Sequence, residues 1–62
     1  MWNFIAHLDN VTADAVAMYQ RLRKLGQTGT LARISVEARY STLTNIQRQQ
    51  LRQAISRVEA ER

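Results

Sequence analysis

Few side chains in this sequence could do covalent or proton-transfer chemistry. There is one histidine, His7, five carboxylates and no cysteine. A hydrolytic triad needs a nucleophile, a base and a group that orients the base, and His7 is the only imidazole available. The acids are Asp9, Asp14, Glu37, Glu59 and Glu61. Asp9 and Asp14 flank a helix start, where capping accounts for them, and Glu59 and Glu61 sit at an end expected to fray. Glu37 lies between Arg33 and Arg39. No two acids pair as general acid and base. Thiolate zinc sites and disulfides are excluded, and one histidine with no carboxylate cluster beside it builds no metal site. The segment Gly26-Gln27-Thr28-Gly29-Thr30 lacks the Lys-Ser/Thr ending of a phosphate loop and reads as a turn. The residues therefore point away from an enzyme, a cofactor, a metal or a small-molecule substrate.

Binding chemistry is better represented. Of nine basic residues eight are arginine, against five acids, for a net charge of +4. Arginine presents a planar five-donor fork that suits phosphate and carboxylate. Arg48 and Arg52 are four apart on one helical face, Arg33 and Arg39 share the polar face of an alternating segment, and Arg21 and Arg23 lie near a helix end. These six are the candidate contacts for nucleic acid or for an acidic protein surface. Trp2, Phe4, Tyr19 and Tyr40 mostly fall on expected core faces, which disfavours a stacking platform for single strands.

The elements that must position these residues follow from the apolar pattern. Val11, Ala15, Met18, Leu22 and Leu25 make one helical stripe. Thr12 is the expected N-cap, Asp14 the acid of the first turn, and Arg21, Arg23 and Lys24 the cations of the last turn. Gly26 fits the left-handed position beyond the helix end. A second helix runs from about Asn45 onward, with the capping-box pair Thr44 and Gln47. Its buried stripe is Leu51, Ala54, Ile55 and Val58, with Ile46 near its start. Between the helices, Ala32, Ile34, Val36, Ala38 and Tyr40 alternate with polar residues, which predicts a half-buried strand over 32–41. The alternative there is a helix through Leu31, Ile34 and Ala38, at the expense of Val36 and Tyr40. A weaker alternation at Trp2, Phe4, Ala6 and Leu8 suggests an N-terminal strand.

The expected fold is α+β, one small domain over 1–62 in the order strand, helix, strand, helix; a three-helix all-α domain is the alternative. Two strands alone are seldom stable, and a chain this short needs a further source of stability. A homodimer joining two sheets through Ile34, Val36 and Tyr40 would supply it. No apolar run reaches the roughly 20 residues of a membrane span, and no signal peptide is evident, so a cytoplasmic location without membrane contact is expected.

The residues Arg21-Leu22-Arg23, Thr30-Leu31, Arg33-Ile34, Arg39-Tyr40, Leu43-Thr44 and Ala54 resemble the Hha/YmoA family, small bacterial partners of the nucleoid protein H-NS. The resemblance covers roughly 19–58 with a one-residue gap near Tyr40. It implies an all-helical fold and a co-regulatory role exercised through an H-NS-like partner, with basic residues helping at DNA. Together these readings lead to a small regulatory binding module that contacts nucleic acid directly or through a nucleoid protein. The alternative is a protein-interaction module, such as an inhibitor or accessory subunit of a prokaryotic or phage mobile element, that binds an acidic protein surface.

Overall fold

Three capped helices follow one another in the computed structural model, which describes residues 8–61: α1 (Asn10–Lys24), α2 (Gly29–Arg39) and α3 (Asn45–Ala60). The described residues contain no strand. The expected α+β architecture is therefore replaced by an all-helical one, and a sheet shared between two copies has no counterpart among these residues. The suggested strand at Trp2, Phe4 and Ala6 lies outside the described residues.

The alternation over 32–41 misleads for a geometric reason. A pattern of period two contains one of period four. On a helix, a step of four residues turns the chain by only about 40°, whereas a step of two turns it by about 200°. Ala32 and Val36 accordingly point inward and are fully buried, with Tyr40 half-buried against the same core. Ile34 and Ala38 turn outward and are exposed. A strand would have put all five on one face. The helix starts because Thr28, in extended backbone, accepts a hydrogen bond at Oγ1 from the Leu31 amide at 3.2 Å, which satisfies one of the unpaired donors of the first turn. The helical alternative through Leu31, Ile34 and Ala38 had the right element but the opposite face.

α1 begins one turn earlier than expected. Its N-cap is Asp9, whose Oδ1 accepts from the Thr12 amide at 2.7 Å. Thr12 is thus inside the helix and fully buried, and Asp14 lies beyond the first turn. The buried stripe is Thr12, Ala15, Val16 and Tyr19, with Met18 and Leu22 half-buried beside it. Val11 and Leu25, assigned to the stripe from sequence, are exposed. The helix end is as expected. Gly26 has φ +103°, its amide donates to Arg23 O, and the Gln27 amide donates to Leu22 O. This is the Schellman arrangement, in which glycine avoids the Cβ clash of the left-handed region.

α3 follows its sequence signature closely. Thr44 Oγ1 accepts from the Gln47 amide at 3.1 Å, and Gln47 Oε1 accepts from the Thr44 amide at 3.0 Å. Leu51, Ala54, Ile55 and Val58 are buried. Ile46 does not join them and is 70% exposed.

α1 packs against both other helices. The Gln47 Nε2 donates to Asp9 Oδ2 at 2.9 Å, so the start of α3 sits at the start of α1. Glu59, near the end of α3, receives the Tyr19 hydroxyl and the Arg23 Nε near the end of α1. The two helices thus run in the same direction, although they are not consecutive. α2 returns along α1, with Gly29 against Tyr19 and Arg39–Tyr40 beside Asp14 and Met18. The one core joins Ala15, Val16 and Tyr19 of α1, Ala32 and Val36 of α2, Leu43, and Leu51, Ala54, Ile55 and Val58 of α3.

Candidate functional site

The six candidate arginines do not gather on one surface. Arg33 and Arg39, neighbours on a strand face, take opposite flanks of α2. Arg33 lines an open groove of about 620 Å³ between α2 and α3, with Tyr19, Gly29, Ser56 and Glu59. Arg39 instead lines a hollow between α2 and α1, together with Arg21 and Asp14. That pairing of Arg21 with Arg39 joins residues 18 apart and has no signal in the sequence. Arg48 and Arg52 do stay together, beside Asn45 and Gln49, as their four-residue spacing requires.

Carboxylates accompany most of this positive charge. Arg23 Nε bonds Glu59 Oε2 at 3.1 Å, and its Nη1 donates to Gln27 O at 2.8 Å. Arg23 therefore ties the end of α1 to α3 and to its own turn. Arg52 Nε meets Glu37 Oε2 at 3.4 Å. This exposed pair is worth at most about 1 kcal/mol, yet it links α2 to α3. Glu59, expected to fray, is instead anchored by Tyr19 and Arg23. Its signal is visible only in hindsight: it lies four residues past Ile55 on the edge of the α3 core stripe. Asp9 is held below the ordinary carboxylate value, chiefly by the Gln47 side chain and next by the Thr12 amide.

The residues proposed for self-association divide in the same way. Val36 is fully buried and so is not offered to a partner across a surface, whereas Tyr40 packs on the core and stays half-buried. Ile34 is 57% exposed. It lies between Leu31, 55% exposed, and Ala38, also exposed. Spacings of three and four put these on one stripe along the outward side of α2. The helix is thus apolar on two opposed sides: Ala32 and Val36 face the core, and Leu31, Ile34 and Ala38 face solvent. Thr30 and Ser35 border the outward stripe, and Arg33 and Glu37 lie together on one flank.

Among the described residues no group of three or more His, Cys, Asp or Glu is placed to hold a metal ion, and no helix is long and apolar enough to cross a membrane. No family model, curated protein or solved structure matches this chain.

Proposed function

We propose that this chain is a non-enzymatic protein-interaction module and that its docking surface is the outward face of α2. The observation that carries the reading is the solvent-facing stripe of Leu31, Ile34 and Ala38 on a helix whose opposite side is already buried. A helix polar on its outer side needs nothing more than its own core. A helix apolar on both sides is built to be covered twice, and amphipathic stripes at this spacing are read by grooves and by partner helices.

Nucleic-acid binding has weaker support. Backbone recognition wants cations arrayed so that each neutralises a phosphate. Here Arg23 and Arg52 are engaged by Glu59 and Glu37, and Asp14 shares the hollow of Arg21 and Arg39. The arginines left open suit the acidic rim of a protein partner, where they would steer approach.

The test is a photo-crosslinking amino acid at position 34, in its own host, against the same group at Gln53, an exposed position on α3. Adducts to protein at position 34 and none at 53 are expected. Equal yields at both positions, or adducts to nucleic acid alone, would overturn the reading.

A further inference from the structure

We infer that the hollow between α1 and α2 is the anchor point of the protein partner, and that it takes a carboxylate side chain carried next to apolar residues. This inference rests on the reading of α2 as the docking surface and adds the chemistry of what docks.

The hollow holds about 390 Å³, and two elements build it. Asp14, Met18, Arg21 and Leu22 follow one another at spacings of four, three and one along α1, and Arg39 and Tyr40 enter from the end of α2. Its charge sets it apart. Arg23 and Arg52 each have a carboxylate within bonding distance. Arg21 and Arg39 have none among the described residues, although Asp14 lines the same hollow. The packing of the helices thus brings two guanidiniums to one concavity and leaves both forks unfilled. Like charges so placed repel each other, and an anion between them turns that repulsion into attraction.

The rest of the lining selects among anions. With Asp14 counted, the hollow carries a single net positive charge, which one carboxylate balances. The forks of arginine fit a carboxylate in its own plane. Between the charges the lining is apolar: Met18 and Leu22 are half-buried against the core, and they suit the methylenes of a side chain. A nucleic-acid backbone offers phosphate after phosphate and needs a cation for each, so Asp14 would stand against the next one. A peptide meets no such conflict, because its backbone N–H groups can donate to Asp14. The hollow also adjoins the docking face, since Arg39 directly follows Ala38 at the end of the outward stripe. The stripe supplies apolar contact, and the two arginines fix the partner's position along it.

The experiment is a titration of the full chain at about pH 6, where a glutamate is ionised, followed by NMR at the arginine Nε–H groups and at the Met18 and Leu22 methyls. The probe is acetyl-Leu-Glu-Leu-amide. It is compared with acetyl-Leu-Gln-Leu-amide, inorganic phosphate and a short single-stranded oligonucleotide. The glutamate peptide should shift Arg21, Arg39, Met18 and Leu22 together, with a Kd on the order of 1 mM. Its neutral twin should bind about fivefold more weakly, the upper worth of an exposed ion pair. Arg21→Gln and Arg39→Gln should each weaken the glutamate peptide by about the same factor with unchanged helix content, since both side chains are exposed. Arg48→Gln, beside Asn45 and Gln49 on α3, should leave its binding as it is.

No shift at the four residues with about 20 mM glutamate peptide, equal binding of the two peptides, or tighter binding of phosphate or oligonucleotide in the hollow would overturn the carboxylate site. Crosslinking from position 34 in the host separates this inference from the reading beneath it. Loss of the adducts in the Arg21→Gln, Arg39→Gln double variant is expected. Undiminished adducts in that variant would overturn the anchor and leave α2 as the docking surface. Peptide binding in the hollow with no adduct at position 34 in the wild type would overturn the docking surface and keep the carboxylate site.

Discussion

Two residues that looked ordinary in the sequence are held by specific partners. Asp9 caps α1 with one carboxylate oxygen and takes Gln47 of α3 with the other. Both bonds favour the charged form and lower its pKa below the ordinary value of 3.8. The unfolded chain therefore takes up the proton first on acidification. The stabilisation is complete at neutral pH, begins to fade as pH nears that ordinary value, and is lost as pH falls through the lower folded value. Asp9→Asn keeps a good capping residue but removes the titration. Thermal melts from about pH 7 to pH 2 should show the wild type losing its advantage over Asp9→Asn in the acid range, with parallel curves above it. Gly29 is the second case. A Cβ there would lie 3.1 Å from the Tyr19 hydroxyl, which Glu59 holds in place. Alanine is favoured over glycine by about 1 kcal/mol in a helix interior and by less at the first residue of a helix, where Gly29 stands, and here crowding opposes even that gain. Gly29→Ala should stabilise a Tyr19→Phe background more than it stabilises the wild type, by denaturant titration of the four proteins.

At the scale of the element, α2 is where the sequence is hardest to read. Val36→Asp puts a carboxylate into a fully buried site with no partner and should cost several kcal/mol, enough to unfold the domain. Ile34→Asp, two residues away, should leave the circular dichroism melt close to that of the wild type. A strand would make the two substitutions equivalent, so the contrast tests the helix directly. The other two helices were legible, because α3 carries an agreeing start signal and stripe and α1 an agreeing stripe and stop. Even so, the face of α1 was displaced toward Thr12, Val16 and Tyr19. Hydropathy ranks Val11 above Thr12, but core position follows from where Asp9 starts the helix. In α2 the pattern was ambiguous, because Ala32, Ile34, Val36, Ala38 and Tyr40 satisfy a strand completely and a helix by halves. The unused half is the outward stripe, and its apolar character is the residue of that mismatch. Of the candidate arginines, only the local pair Arg48 and Arg52 could be placed together from spacing; Arg21 with Arg39, and Arg23 with Glu59, depend on how the helices pack.

For the whole molecule, smallness governs. A domain of 62 residues has a stability of about 3–9 kcal/mol by the usual per-residue range. Leu51 is fully buried at the centre of the one core, and Leu51→Ala should cost about 2–5 kcal/mol. That is a large fraction of the total, and calorimetry should find the cooperative transition of this variant weakened or lost near room temperature. Among the described residues the buried apolar side chains form one cluster, so none of them makes a second core to absorb the loss.

The shared direction of α1 and α3 has a further consequence for how the protein comes into being. α1 is made first, yet its main partner, the face of Leu51, Ala54, Ile55 and Val58, is made last. While a ribosome adds the 16 residues of α3 at about 5–20 residues per second, Val16 and Tyr19 wait uncovered for roughly one to three seconds. The core therefore closes only when α3 is free to dock, and until then α1 carries the apolar face of Ala15, Val16 and Tyr19 without its main cover.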